Sequence, residues 1–203
     1  LIIPIIIKLS QKYKLYDTTC ERKIHNGDIS RLGGLAIFLS FFPLSAYYLF
    51  TIKADFNALL LLCGMITAFL AGLIDDFIRI RARYKLILQV IAALFVVQSG
   101  LMVNDLSIYT LYYFKFGYFS YPITVLWIVV FMNAVNLIHG MDGLSTGIFL
   151  IANIFVIIIS IITQNNLVLL LATALEFSVA GFYIFNFPPA RIFLGDGGAY
   201  FIG

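Results

Sequence analysis

Residues 57–89 read NALLLLCGMITAFLAGLIDDFIRIRARYKLILQ. The run 57–74 carries no charge and is close to the ~20 apolar residues that a bilayer-crossing helix needs. Asp75, Asp76, Arg79, Arg81, Arg83 and Lys85 then arrive together, before the next apolar run begins. This is the pattern of a membrane helix that emerges into a charged loop and is followed by another span. Backbone groups in lipid have to be satisfied within their own segment, so such spans are helices.

Working outward, apolar runs of similar length occupy 33–52, 86–103, 122–138, 147–163 and 167–185. The chain of 203 residues is 62% hydrophobic and 11% charged, far from the half-apolar, quarter-charged mix of a soluble domain. The opening LIIPIIIKLS and the closing AYFIG read as partial spans. No basic stretch precedes the first run and no small-residue cleavage site follows it, which argues against a signal peptide. The expected fold is all-α, a polytopic transmembrane helical bundle with six full spans and two partial ones. It forms a single integral-membrane domain over 1–203, read as truncated at both ends.

Alternating the spans puts loops 10–32, 75–85, 139–146 and 186–198 on one side of the membrane and 53–56, 104–121 and 164–166 on the other. All but two of the 13 Lys and Arg residues fall on the first side, the exceptions being Lys53 and Lys115. The positive-inside rule makes that side cytoplasmic. Asp75, Asp76, Asp142, Asp196, His25 and His139 lie on the same side, and Asp55 and Asp105 on the other. The chemistry is therefore expected to face the cytoplasm, and nothing points to nucleic acid.

The aromatic stretch 104–121 suits an interfacial belt or a short hairpin on the outer side. Gly64, Ala68 and Gly72 recur every four residues, a face that lets another helix come close. Glu176 sits in mid-span, where a carboxylate is costly, so it should face a partner helix or a watery cavity. Cys20 and Cys63 are the only two cysteines and imply no disulfide framework.

Three constellations carry chemistry. Asp75 and Asp76 end a helix at its negative pole, where something positive must compensate them: either the basic residues that follow or a divalent metal, for which carboxylates are hard oxygen ligands. In NAVNLIHGMDGLSTG, 133–147, Asn133 and Asn136 share a helix face with His139 if the helix continues that far. In NFPPARIFLGDGGAYFIG, 186–203, Asp196 stands among glycines just before an apolar run. It suits a helix cap, and the nearby amides equally suit a phosphate. Three loops, each with an aspartate, suggest one site at the membrane surface for a phosphorylated, partly lipidic ligand.

Four segments, KIHNGDISRLGGLAIFL (23–39), GLIDDFIRIRARYKLILQ (72–89), NAVNLIHGMDGL (133–144) and the 186–203 stretch, resemble in order the motifs of the polyprenyl-phosphate N-acetylhexosamine-1-phosphate transferases. The superfamily of these enzymes includes phospho-N-acetylmuramoyl-pentapeptide transferase. The resemblance implies a bacterial inner-membrane enzyme that moves HexNAc-1-phosphate, GlcNAc-1-phosphate foremost, from a UDP-amino sugar to undecaprenyl phosphate. It would release UMP and initiate a cell-surface glycan such as O-antigen or teichoic acid. Mg²⁺ is the implied cofactor, with Mn²⁺ as a substitute, and the implied partners are the two substrates, the lipid bilayer and a second copy of the chain.

Carried over residue by residue, Asp196 would be a metal ligand. Asp75 and Asp76 would be catalytic, with Asp76 also assisting the metal. Asn133, Asn136, His139 and Asp142 would line the nucleotide-sugar side, and Arg79, Lys85 and Arg191 would contact phosphates. Direct attack by the lipid phosphate and a two-step route through an aspartyl-phosphate both fit these residues. His139 stands where the family has Asp, in a D-G-x-D-G pattern, so this position departs from its relatives in charge and metal preference. A lipid-linked-sugar transporter and a catalytically silent homologue are the alternatives; the first expects acids spread through the spans, the second is raised by His139.

Overall fold

The computed structural model describes residues 2–13, 15, 29–53, 56–78, 80–108 and 112–203. Arg79, His25, Cys20 and Asp55 lie outside these residues. The helices are α1 (Ile2–Tyr13), α2 (Gly33–Lys53), α3 (Phe56–Ile78), α4 (Ala82–Gln98), α5 (Ser120–Ile138), α6 (Leu144–Ile162), α7 (Asn166–Asn186) and α8 (Gly195–Ile202). Between α4 and α5 the chain forms an antiparallel hairpin of β1 (Asp105–Ile108) and β2 (Tyr112–Lys115), with Asp105 opposite Lys115. The all-α bundle and the short hairpin agree with the sequence reading.

Among the described residues, five helical segments are long and apolar enough to cross a membrane: Gly33–Thr51, Phe56–Ile78, Gly117–Ile138, Leu144–Ile162 and Asn166–Asn186. The sixth expected span, 86–103, differs. Its helix, α4, is shifted toward the N-terminus and has 17 residues, at the short end of the spanning range of ~17–25. Hydropathy sees neither boundary. The basic residues Arg83 and Lys85 are helical, and the chain turns at Ser99, whose N–H bonds back to the carbonyls of Phe95 and Val96, and at Gly100.

Sequence chemistry explains the other ends. Pro122 falls in the first turn of α5, where its missing N–H costs nothing. Asn165 caps α7 by accepting from the Val168 N–H at 3.2 Å. Among the described residues, α3 packs against α4 and α8, α2 against α7 and α8, α5 against α4 and α8, and α6 against α7. The short α8 thus lies among α2, α3 and α5, with Gly195, Gly197, Gly198, Ala199, Tyr200 and Ile202 buried. Its core comprises Ile37, Val179, Phe182, Ile192 and Leu194, with a second cluster of Ala71, Met132 and Tyr200 on the α3–α5 side.

Two features hold α8 there. The N–H groups of Gly33 and Gly34, which open α2, donate to the carbonyls of Phe193 and Leu194 at 3.0 and 2.8 Å, and the Phe193 N–H donates to the Ser30 carbonyl at 2.8 Å. These bonds satisfy orphan donors at a helix start and fix the approach to α8. Gly72 of α3 supplies the second: a Cβ there would stand 2.2 Å from the Asp196 carbonyl oxygen and 2.5 Å from the Gly197 nitrogen. The expected small-residue face is thus a packing surface, and its last member presses on the turn that carries Asp196.

Glu176 does face a partner helix. Asn153 of α6 donates from Nδ2 to Glu176 Oε2 at 2.9 Å and to the Ala172 carbonyl at 2.8 Å, so an amide meets the mid-span acid across the α6–α7 contact. In the hairpin, the Tyr113 hydroxyl donates to Asp105 at 3.0 Å, and Tyr113, Phe114, Tyr118 and Phe119 are exposed.

Candidate active site

Four elements bring their charged residues to one point. Asp75 and Asp76 lie in the last turn of α3, Lys85 in the first turns of α4, His139 directly after α5, and Asp196 in the first turn of α8. Asp196 is the hub. His139 Nε2 approaches its Oδ1 at 3.2 Å, and Lys85 Nζ lies 3.6 Å from its Oδ2. Lys85 also forms an ion pair with Asp75 Oδ2, so one ammonium bridges two carboxylates. Asp75 Oδ1 accepts from the Ile80 N–H at 2.9 Å, closing the chain reversal after α3.

Asp76 does something the sequence does not reveal. Its Oδ1 accepts from the Asp196 N–H at 2.8 Å and its Oδ2 from the Gly197 N–H at 2.9 Å. The carboxylate therefore caps α8 from another helix, placing negative charge at the positive end of the dipole. Gly195 makes the turn into α8 with φ +73°, and a Cβ there would meet the Arg31 carbonyl and Asp76 Oδ2. The charge of Arg31 is felt at Asp76 as well, although the sequence reading assigned Arg31 no role.

His139 and Asp196 shape each other's titration. Burial alone would depress the imidazole, but the adjoining Asp196 carboxylate and the Asn136 carbonyl at Nδ1 outweigh it and raise the His139 pKa. Burial alone would raise Asp196, yet the hydrogen bond from His139 and the charges of His139 and Lys85 hold it below the usual carboxylate range. Geometry agrees: with Nδ1 facing a carbonyl and Nε2 facing a carboxylate, only the doubly protonated ring donates to both.

A pH dependence follows. His139 is favoured as the cation by folding, so its contribution to stability is complete below its ordinary value near ~6.5 and fades as pH rises through the raised value. Asp196, with its pKa depressed, contributes above ~4 and loses that contribution as pH falls. The gap in melting temperature between the protein and His139→Asn is expected to be widest near pH 6 and to shrink toward pH 9. Melts across that range check it, and a gap that widens with pH would refute the paired imidazolium.

The remaining expected residues divide. Asn133 is engaged with Gln89 of α4, donating to its Oε1 at 2.7 Å. Asn136 shares a helix face with His139 as expected, and its Oδ1 is buried without a hydrogen-bond partner among the described residues. Asp142 Oδ2 accepts from the Ala190 N–H at 3.1 Å, joining the 139–146 loop to the 186–198 loop. Arg191 is exposed, with its N–H donating to the Phe185 carbonyl at 2.9 Å.

A residue the sequence reading left without a role completes the join. Asn186 Oδ1 accepts from the Gly143 N–H at 3.1 Å and from Thr146 Oγ1 at 3.0 Å, while its Nδ2 donates to the Ile192 carbonyl at 3.0 Å. A lone asparagine immediately before Phe187-Pro188-Pro189 was the available signal.

The donor set suits a small divalent cation. Asp75 and Asp196 offer hard oxygens from two helices, and an ammonium already sits between them. No group of three or more ligating side chains is assembled among the described residues.

The family model of glycosyl transferase family 4 matches residues 58–203. Over 204 residues, all of this chain and 56% of the relative, the sequence is 32% identical to the probable undecaprenyl-phosphate N-acetylglucosaminyl 1-phosphate transferase of Bacillus subtilis (strain 168). It is 28% identical over 198 residues to the undecaprenyl-phosphate alpha-N-acetylglucosaminyl 1-phosphate transferase of Thermotoga maritima, covering 96% of this chain and 55% of that protein. It is also similar to the phospho-N-acetylmuramoyl-pentapeptide-transferase of Clostridioides difficile, 37% identical over 146 residues, 65% of this chain and 45% of the relative. The chain spans about half the length of these curated relatives.

Proposed function

The chain belongs to glycosyl transferase family 4 and is a multi-pass membrane protein, and from that premise we propose that it carries the site for transfer of HexNAc-1-phosphate from a UDP-amino sugar to undecaprenyl phosphate. GlcNAc-1-phosphate is the foremost candidate group, because the Bacillus subtilis relative, 32% identical over all of this chain, and the Thermotoga maritima relative bear that name. The site faces the cytoplasm of a bacterial inner membrane, an orientation supported by the loop distribution of Lys and Arg.

In this reading an oxygen of the lipid phosphate attacks the sugar-bearing phosphorus, the bond from that phosphorus to the bridging oxygen breaks, and the electron pair leaves with UMP. A phosphate monoester has its second pKa near ~6, so the nucleophile needs screening more than deprotonation. A bound Mg²⁺ supplies that screening as a Lewis acid on phosphate oxygens. Asp196 and Asp75 would hold it. Asp75 would stand in place of the Asp76 that the resemblance implied, because both Asp76 oxygens accept from the α8 amides and keep the α8 turn in place. Lys85 would neutralise phosphate charge from the first turns of α4. Asp142 and Asn186 would join the two loops that form the sugar-nucleotide wall, with Asn136, whose amide oxygen is buried, behind it and Arg191 at its rim. Arg79 is assigned to the phosphates on sequence grounds alone.

Direct attack by the lipid phosphate and a two-step route through an aspartyl-phosphate both fit these residues. Each oxygen of Asp75, Asp76 and Asp196 meets an N–H, an ammonium or an imidazole and keeps a second lone pair for a metal or a phosphorus.

The observation carrying the whole reading is the convergence of Asp75, Lys85, His139 and Asp196 at the ends of four helices. Its test uses the full-length protein in membranes with undecaprenyl phosphate, Mg²⁺ and several UDP-HexNAc donors, following UMP. Turnover with at least one donor is expected. His139→Asp exchanges a cation for an anion beside Asp196 and is expected to lower the Mg²⁺ concentration for half-maximal rate. No turnover by either protein would refute the transferase, and turnover by His139→Asp alone would mark a silent homologue.

A further inference from the structure

Three helices each carry a polar residue one turn deeper than one of their site residues: Gln89 beneath Lys85 on α4, Asn133 beneath Asn136 on α5, and Tyr200 beneath Asp196 on α8. The first two meet and the third packs beside them. Asn133 Nδ2 donates to Gln89 Oε1 at 2.7 Å and Gln89 Nε2 donates to Asn133 Oδ1 at 3.4 Å, while Tyr200 clusters with Met132 and Leu88, the chain neighbours of Asn133 and Gln89. Gln89 is 1% exposed and Tyr200 2%.

We propose that Gln89 is a positioning residue that sets the rotation and depth of α4 and thereby holds Lys85 between Asp75 and Asp196. A buried amide is costly in an apolar bundle unless it is paired, and a leucine would fill the same place without that cost. What the amide adds is direction. The other α4 contacts of this kind, such as Ala92 and Val96 against Gly64, are apolar and tolerate rotation, whereas the two-way amide pair exists at one register of α4 against α5. Lys85 needs this because it stands in the first turns of α4, where the helix dipole disfavours a cation. Its ammonium must nevertheless bridge carboxylates from two other helices.

The functional half of this inference rests on the transferase reading, while the positional half does not, and the experiment separates them. In detergent-solubilised full-length protein, Lys85 acylation by an amine-selective reagent is measured by mass spectrometry against exposed Lys115. Gln89→Met is expected to raise relative Lys85 labelling by about threefold or more in protein that stays folded, its melting temperature lowered by the orphaned Asn133 amide. In turnover, Gln89→Met is expected to lower kcat with the KM for UDP-sugar within about twofold. Lys85→Met should then add little to Gln89→Met, since both disable the same group.

Unchanged Lys85 labelling in folded Gln89→Met, or losses of kcat that simply multiply, would overturn the proposal. If the single variant does not fold, Gln89→Met with Asn133→Met removes both amides and leaves neither orphaned, and the same labelling is read. A protein that shows no turnover but the expected labelling would refute the transferase and keep the positioning.

Discussion

Replacing Asp196 with Asn is expected to lower kcat by about 10³-fold in the full-length protein, ~4 kcal/mol in the barrier, with a melting temperature lowered only by the lost pairs with His139 and Lys85 and the α8 turn kept. The separation arises because the residue serves the site and the fold through different atoms. Its carboxylate meets His139 and Lys85, whereas its backbone N–H meets Asp76 and survives the substitution. Asn keeps the shape but loses the charge, leaving Lys85 and His139 less well neutralised and a bound metal without an anionic ligand. Turnover and thermal melts on the same preparation check both halves. A kcat within about threefold of the parent would remove Asp196 from the chemistry, since a group bearing on developing charge is worth ~10²–10³.

The second large effect lies in packing. Gly72→Ala is expected to destabilise the protein by ~3 kcal/mol, at the upper end of overpacking costs, and to abolish most activity. The added Cβ would meet the Asp196 carbonyl carbon at 2.4 Å as well as its oxygen. Backbone cannot move aside as a side-chain tip can, so α8 would shift and carry Asp196 away from Lys85. Gly64→Ala is the milder case: its Cβ would meet the Val96 Cγ2 atom at 2.8 Å and the Ala92 carbonyl oxygen at 3.2 Å, looser than the backbone facing Gly72. Melting temperatures of both variants test the contrast, and equal small losses would mean that α3 and α8 do not approach as closely as described.

Much of this was legible in the sequence because lipid narrows the choices. Apolar runs near spanning length located α2, α3, α5, α6 and α7 within a few residues, and alternation gathered the acids on one side. The hairpin was marked by its aromatic strand residues, and the need of Glu176 for a partner by its depth. The position of α4 was not legible, since hydropathy does not register that Arg83 and Lys85 join the helix or that the chain turns at Ser99. The role of Asp76 was hidden because its donors lie in residues 196 and 197 and are backbone groups, which carry no residue signature. Gln89 and Asn186 were hidden for a related reason: one amide in an apolar stretch shows its cost but not its partner.

The most direct test of the central claim follows the fate of the sugar-bearing phosphate. The full-length protein in membranes is supplied with Mg²⁺, undecaprenyl phosphate and UDP-HexNAc labelled at that phosphate, and both products are resolved. The account predicts UMP together with label in a lipid pyrophosphoryl-HexNAc, and loss of both with Asp196→Asn. Release of UDP, or movement of lipid-linked sugar without any cleavage of the nucleotide, would contradict it.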